Sequence, residues 1–393
     1  MKKVKHIPQG YKDSPLGIIP KEWEVKKLGE VCTFLDSQRI PIKDADRGKM
    51  QGKYPYYGAS GIIDYVNDYI FDDDLILLGE DGANILMRST PLAFLVSGKV
   101  WINNHAHVLK MKQGFNRFYI CNYLESLSYD KYNTGTAQPK LNREVCEKIS
   151  VLLPPEEEQN RISNLIITWD TAIEKQSELI EKLKLRKRAL MQQLLTGKKR
   201  LPGFNGEWKE VKLGDVFDER NETNRDDLPL LSITGDKGII NQSDSDKRDI
   251  SNEDKSKYKR ICPNDIGYNS MRMWQGRSAL SELEGIVSPA YTIVTPRESI
   301  NVKFMSMLIQ QPRVVYDFWT HSQGLVSDTL NCKYLDFCQV KVFIPTKAEQ
   351  TAIAFVLEKA DLEIKLACEK LANLQSQKRG LMQQLLTGKK RVL

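Results

Sequence analysis

The chain has 393 residues with 58 basic and 51 acidic side chains, a net charge of +7. That length allows two or three domains, each burying its own core, and the longest apolar runs, at 75–78 and 92–96, are far too short to span a bilayer. The charge is compatible with a polyanionic partner without establishing one, so the placement of the cations matters more than their sum.

At the N-terminus, Lys2, Lys3 and Lys5 lead into His6-Ile7-Pro8-Gln9-Gly10 rather than the apolar stretch of a secretory signal, so a cytoplasmic protein is expected. The seven cysteines, at 32, 121, 146, 262, 332, 338 and 368, form no CxxC pair. They read as buried free thiols of a reducing compartment rather than metal ligands. Next comes Glu22-Trp23, then Lys27-Leu28-Gly29-Glu30-Val31, opening a block that runs to Pro154 and reads as mixed α/β. Strands are expected at 75–78, 94–96 and 107–110 and a helix at 115–126, with turns at Gly58-Ala59-Ser60-Gly61, Gly79-Glu80-Asp81-Gly82 and Ser97-Gly98.

From 156 to 196 the pattern changes to a helical one. Ile162, Leu165, Trp169, Ile173, Leu179/Ile180, Leu183, Leu190 and Leu194 recur at steps of three and four. Acidic Glu156, Glu157 and Glu158 stand at the start, and Thr196-Gly197-Lys198-Lys199-Arg200 supplies a glycine stop with cations at the end. A single helix of that span would be roughly 60 Å long. The chain then repeats its opening: Glu207-Trp208 and Lys212-Leu213-Gly214-Asp215-Val216 stand 185 residues after the first copy. A second mixed block follows, with strands expected at 230–233, 266–269 and 291–294 and a helix at 302–311. Pro345–Arg391 then repeats Pro154–Arg200 at an offset of 191, with 21 of 47 positions identical. Its stripe is Ile353, Val356, Ala360, Ile364, Ala367, Leu371, Leu374, Leu381 and Leu385. Two such stripes can bury each other as an antiparallel coiled coil; the alternative is two amphipathic helices, each lying on its own domain.

The motifs of common enzymes are missing. There is no GxxxxGK[ST] loop, no GxGxxG opening a helix and no Asn/Asp-Pro-Pro-aromatic loop. With four histidines in the chain, imidazole chemistry has few candidates. His105 and His107 fall on one face of an expected strand beside Asn103 and Asn104, a pattern that suits a binding surface better than a metal pair. Other clusters combine Arg, Lys, Asn or Gln with aromatics and glycine: Arg88, Lys99 with Trp101, and Gln138 in Asn133-Thr134-Gly135-Thr136-Ala137-Gln138. In the second block they are Asn269, Arg272, Trp274 and Arg277, then Ser288-Pro289-Ala290-Tyr291, and Gln323 in His321-Ser322-Gln323-Gly324. Asn and Gln pair bidentately with adenine and Arg with guanine, while glycine loops let backbone approach phosphates. The expected DNA-binding set is therefore Arg88, Lys99, Asn103, Asn104, His105, Gln138, Asn269, Arg272, Trp274, Arg277 and Gln323. The helix leucines Leu183, Leu190, Leu194, Leu374, Leu381 and Leu385 are the expected subunit interface. The densest basic run is Lys182, Lys184, Arg186, Lys187 and Arg188, either a solvated helix face or a phosphate contact.

The Trp-x4-Leu-Gly openings, the helix starts (Pro154-Pro155-Glu156-Glu157-Glu158-Gln159; Pro345 with Glu349-Gln350) and the Leu-Leu-Thr-Gly-Lys-Lys-Arg ends resemble the DNA-specificity subunit of type I restriction-modification systems. So do Leu78-Gly79-Glu80-Asp81-Gly82-Ala83-Asn84, Asn103-Asn104-His105-Ala106-His107, Tyr268-Asn269-Ser270-Met271-Arg272-Met273-Trp274 and Gly285-Ile286-Val287-Ser288-Pro289-Ala290-Tyr291. The second copy departs at Thr346-Lys347-Ala348, so the alignment does not fix where its helix begins. The resemblance implies an α+β chain, mixed α/β in its blocks, with two target recognition domains joined by two long helices packed as an antiparallel coiled coil. Its expected parts are 1–153 (first recognition domain with an N-terminal arm), 154–200 (central helix), 201–344 (second recognition domain) and 345–393 (C-terminal helix). It further implies a non-catalytic subunit that reads a bipartite, non-palindromic site in double-stranded DNA. Two methyltransferase subunits and motor-nuclease restriction subunits would be its partners, and S-adenosylmethionine, ATP and Mg would sit on those partners, with no cofactor, metal or membrane for this chain. The rival readings are a stand-alone DNA-modifying or DNA-cleaving enzyme with an unrecognised motif, and a coiled-coil scaffold for other proteins.

Overall fold

The strands follow the chain in two series, one before the first long helix and one between the two long helices. The computed structural model describes residues 7–234, 238–245, 251–324 and 329–392; Lys2, Lys3, Lys5 and His6 lie outside them. Two compact units result: Met1–Gln176 with Lys370–Leu393, and Ser177–Glu369. Each long helix gives one portion to each unit.

In the first unit the strands are β1 (Tyr11–Ser14), β2 (Gly17–Pro20), β3 (Glu24–Lys27), β4 (Cys32–Phe34), β5 (Gln51–Gly58), β6 (Gly61–Val66), β7 (Phe71–Asp72), β8 (Leu75–Gly79), β9 (Ala93–Val96), β10 (Lys99–Ile102), β11 (Ala106–Met111) and β12 (Ser150–Leu153). β1 and β2 form a hairpin, β3 pairs with β12, and two four-stranded sheets run β6-β5-β10-β7 and β4-β11-β8-β9. The unbroken apolar run Leu75-Ile76-Leu77-Leu78 is buried on both faces because β8 is a central strand. The helix Arg117–Ser126 covers the second sheet and begins two residues later than its pattern predicts.

The second unit repeats the plan with β13 (Lys209–Lys212), β14 (Phe217–Glu219), β15 (Leu231–Ile233), β16 (Ile239–Asn241), β17 (Lys259–Ile261), β18 (Ile266–Asn269), β19 (Ser278–Leu280), β20 (Gly285–Val287), β21 (Tyr291–Pro296) and β22 (Lys341–Ile344). β13 pairs with β22 as β3 does with β12, and the sheet β14-β21-β18-β19 has the order of β4-β11-β8-β9. The helix expected at 302–311 stops at Leu308, and a second one, Pro312–His321, starts on the proline. Pro312 has no N–H to continue the first helix and its ring presets the first turn of the next.

Both long helices have 39 residues, Glu156–Leu194 and Lys347–Leu385. Within each unit their portions run antiparallel. In the first, Asp170 pairs with Lys378 and Glu158 with Arg391; in the second, Arg186 pairs with Glu363, Lys187 with Asp361 and Arg200 with Glu349. As the number rises on one helix it falls on the other. Ile162 and Ile166 are buried beside Leu385 and Leu386 in the first unit, and Leu194 and Leu195 beside Ile353 and Leu357 in the second.

The two repeated motifs touch each other. Gly388 and Gly197 end the helices with positive φ of 70° and 69°, where a side chain is strained. A Cβ on Gly388 would lie 3.2 Å from the Trp23 ring, and one on Gly197 3.3 Å from Trp208. The glycine of the second Leu-Gly pair is also explained, since a Cβ on Gly214 would meet that of Cys338 at 2.7 Å. Gln159 and Gln350, both buried, repeat one clip. Each Oε1 accepts from the backbone N–H of an N-capping asparagine, Asn116 or Asn301, at 2.9 and 2.8 Å.

Candidate nucleic-acid interface

In each unit three loops gather at the end of the central strand of the repeated sheet. In the first they follow β8 (80–84), precede β11 (103–105) and cover 133–141. Glu80 N donates to His105 O at 2.8 Å, Leu141 N to Glu80 O at 2.7 Å and Gly82 N to Pro139 O at 3.1 Å. Asn133 Oδ1 accepts from Gly135 N and Lys140 N at 3.0 and 2.9 Å, folding the third loop on itself. Gly135 is required there, because a Cβ would fall 1.8 Å from Gln138 O. In the second unit the loops follow β18, precede β21 and include 322–324 and 329–332. Ser270 Oγ donates to Ala290 O at 3.2 Å, Cys332 N donates to Ser270 O at 2.8 Å, and Gln323 and Asn331 pair backbone to backbone.

The candidate residues divide into exposed and inward-turned groups. Asn104 and Gln138 are exposed, and among the described residues their side-chain amides take no partner. His105 is half exposed, with Nδ1 on Asp81 at 2.9 Å. In the second unit Arg272 and Arg277 are exposed, with guanidinium groups unpaired among the described residues, and flank the half-buried Trp274, whose Nε1 donates to Met271 O at 3.0 Å. Asn269 Oδ1 accepts from Met271 N at 3.0 Å and shapes that loop. Gln323 is exposed, but its amide donates to Asp336 at 2.8 Å.

Three others hold structure. Asn103 is buried and its Oδ1 accepts from His105 N at 2.8 Å. Arg88 sits at φ 51° with its guanidinium turned inward, donating to Glu125 O at 2.6 Å and covering the Tyr129 ring. Lys99 starts β10, at the opposite end from Asn103, with its ammonium 4.7 Å from the Tyr69 ring centroid. The expected pairing of His105 and His107 on one face does not occur: His105 precedes β11, whereas His107 lies inside it and is 1 % exposed.

Sequence reasoning missed the group beneath these loops. His107 Nδ1 meets Asp36 Oδ2 at 2.7 Å and Nε2 meets Leu141 O at 2.8 Å. Arg39 donates to Glu80 Oε2 and Ala106 O, both at 2.7 Å. Burial alone would push the His107 ring down, but its hydrogen bonds to Asp36 and Cys146 and the Asp36 charge outweigh it and raise it to about 10. The Asp36 carboxyl is held below its usual range because His107 and the Val108 N–H outweigh its desolvation.

The helix leucines are largely consumed within the chain. Leu183, Leu194 and Leu385 are buried, and Leu190, Leu374 and Leu381 are partly so. The apolar side chains left exposed on the second unit's helix portions are Leu179, Leu185, Phe355, Leu362 and Leu366. No helix among the described residues is long and apolar enough to cross a membrane.

Residues 20–185 match the family described as the type I restriction modification DNA specificity domain. A putative type I restriction enzyme specificity subunit of Haemophilus influenzae is 32% identical over 145 residues, 37% of this chain and 37% of that protein. The type I restriction enzyme MjaVIII specificity subunit of Methanocaldococcus jannaschii is 25% identical over 228 residues, 51% of this chain and 50% of that protein. The matches thus span about a third to a half of these relatives' length. The crystal structure of a type I restriction-modification system S subunit from M. genitalium shares the fold, with a TM-score of 0.56 at 13% identity over 93% of this chain and 96% of that one.

Proposed function

Because residues 20–185 match the type I restriction modification DNA specificity domain, we propose that this chain is the non-catalytic reading subunit of such a system. One observation carries the reading: the same sheet order and the same three-loop cluster recur in both units with different exposed side chains. Amides and an imidazole (Asn104, Gln138, His105) top the first cluster, and guanidinium groups beside an indole (Arg272, Arg277, Trp274) the second. Amide side chains suit adenine edges and guanidinium groups suit guanine. Two unlike readers on a duplicated frame call for a bipartite, non-palindromic site, with half-sites about one turn, on the order of 34 Å, apart.

The recognition domains of this proposal are the two blocks, 1–153 and 201–344, and the helix repeats 154–200 and 345–393 set their spacing. Phe355, Leu362 and Leu366 recur at steps of seven and four, a stripe one helix face can offer to another protein. That stripe, with Leu179 and Leu185, is the docking surface proposed for the methyltransferase subunits; the motor-nuclease subunits join the complex they form. S-adenosylmethionine, ATP and Mg belong to those partners, and the complex works in the cytoplasm, where its DNA is.

The assembled methyltransferase complex, incubated with random duplex pools, should enrich one split sequence and methylate adenines only there. A contiguous motif, a perfect palindrome or no enrichment would break this reading. Purified chain given plasmid, Mg²⁺ and S-adenosylmethionine should neither cut nor methylate.

A further inference from the structure

The buried charge cluster under the first unit's loops is more than packing. A neutral imidazole offers one N–H and one lone pair. His107 instead faces two acceptors, the Asp36 carboxylate at 2.7 Å and the Leu141 carbonyl at 2.8 Å. Only the imidazolium, with both nitrogens donating, satisfies both. A buried cation is held in place when it is paired and fully hydrogen-bonded, and the structure provides this. Asp36 faces the ring from the segment after β4, Glu80 from the loop after β8 at 3.7 Å, and Cys146 from the helix Arg143–Glu147. Behind them Arg39 bridges Asp36 and Glu80.

The partners of this cluster are the loops themselves. Leu141 ends the loop carrying Gln138. Arg39 Nη1 donates to the carbonyls of Asn104 and Ala106, on either side of His105. Glu80 receives Leu141 N on its carbonyl and Arg39 and Lys140 on its carboxylate. A ring that lost a proton would release one oxygen, and the loop attached to that oxygen would lose its anchor. In the second unit the register places Thr292 opposite Tyr268 where the first places His107 opposite Leu78. The loops there are joined by backbone bonds and the Ser270 hydroxyl, with a threonine where the first unit has the imidazole.

We propose that His107 is a positioning residue for the first unit's reading loops: its doubly bonded ring fixes the 80–84, 103–106 and 133–141 segments and thereby sets discrimination at one half-site. This rests on the reading of the chain as a two-headed DNA reader.

With four histidines in the chain, selective ¹⁵N-histidine labelling of the full chain reads the ring directly. One imidazole should keep both nitrogens protonated at pH 8, and that signature should vanish in His107→Gln. A neutral tautomer at pH 7 overturns the proposal. The assembled complex carrying His107→Gln, and separately Asp36→Asn, which keeps the side-chain shape, is then titrated with duplexes altered in either half-site. Discrimination should fall by at least roughly 10-fold at one half-site and stay at the wild-type level at the other. Wild-type discrimination in both variants, or equal loss at both half-sites, overturns the proposal while the reader stands. If wild type itself selects no sequence, the reader falls first. Should His107→Gln fail to fold, Asp36→Asn and the labelled wild-type chain still decide.

Discussion

In the first unit Glu158 accepts from Trp23 Nε1 at 3.0 Å, from Arg391 Nη2 at 2.8 Å and from the Val392 N–H at 3.3 Å. In the second, Glu349 holds Arg200 through two 2.6 Å bonds, and Trp208 Nε1 is buried with no acceptor among the described residues. The same three residue types, at repeat positions, thus build a closed network once and a simpler pair once. What both copies keep is the indole against the terminal glycine. Packing, not the indole hydrogen bond, is what the repeat preserves. The bond is an addition that ties the chain's last turn into one unit's core.

The sharpest way to break this comparison is to remove each carboxylate. Glu158→Ala leaves Trp23 Nε1 without its acceptor and Arg391 with Glu22 alone, and should cost up to about 3–5 kcal/mol, the range for breaking a buried pair. Glu349→Ala strands only Arg200, which reaches solvent with 27 % of its side chain exposed, and should cost clearly less. Urea denaturation of the two variants checks the order; equal losses would mean the Trp23 bond adds nothing.

The loop clusters give a smaller contrast. Arg272→Ala should relax discrimination at one base position by about 1–3 kcal/mol, the worth of a bidentate contact, and leave the salt slope of binding nearly unchanged. Asn104→Ala should do the same in the other half-site. Binding of the assembled complex to single-base variants at several salt concentrations tests both, and a shift shared by all sequences would mark these residues as phosphate contacts instead.

Much of this frame was legible in the sequence, because helical periodicity, glycine stops and a repeated motif are local signals. The second helix starts at Lys347, inside the departure that the alignment left open. The loops proposed for recognition were legible as exposed polar turns: Asn104, Gln138, Arg272 and Arg277 all reach the surface. Arg88 and Asn103 have the right chemistry, but their direction is set by partners 37 residues away and by the next turn. His107 and Asp36 are 71 residues apart and meet only through the β4-β11 pairing. No window of sequence contains that information. The sheet of β5 and β6 also escaped notice, since Gln51-Gly52-Lys53-Tyr54-Pro55 lacks the apolar alternation by which strands are recognised.

The ionic cluster gives the two units different responses to pH. His107 is raised to about 10 in the folded chain, against about 6.5 unfolded. Below pH 6.5 both states carry the proton and its contribution is complete. Between 6.5 and about 10 only the folded state does, so stability falls with rising pH, by at most about 1.4 kcal/mol per pH unit. Asp36, held low, acts at the other end: its contribution is present above about pH 3.9 and lost as pH falls through its folded value. Burial pushes thiols up to about 12 in both units, Cys32 and Cys121 in the first and Cys332 in the second. These add a loss common to both above about pH 8.5. From pH 6.5 to 8.5, hydrogen exchange should therefore show β8 and β11 losing protection faster than β18 and β21, after correction for intrinsic exchange. His107→Gln should flatten the difference.

The smallest effect is expected where the charge is densest. Lys182, Lys184, Arg186, Lys187 and Arg188 invite a phosphate contact, yet three of the five face acids of the chain itself: Arg186 pairs with Glu363, Lys187 with Asp361 and Lys184 with Glu181. The first two join the antiparallel helix portions of the second unit, as Lys378 and Asp170 do in the first. A lysine already paired releases fewer counterions on meeting DNA, so Lys187→Gln should change the salt slope by well under the roughly 0.9 of a full phosphate contact. Its cost in stability should be that of an exposed pair, about 0–1 kcal/mol. Lys182→Gln and Arg188→Gln remove the two cations of this run that have no partner among the described residues, and they are the internal comparison. If neutralising Lys187 shrinks the slope by a whole contact, its bond to Asp361 gives way on binding and the run is a DNA surface. If only Lys182 and Arg188 do so, the helix zipper and the DNA contact divide the run between them. A null result for all three would leave the whole run to helix pairing and solvation, and the DNA backbone would then be held elsewhere on the units.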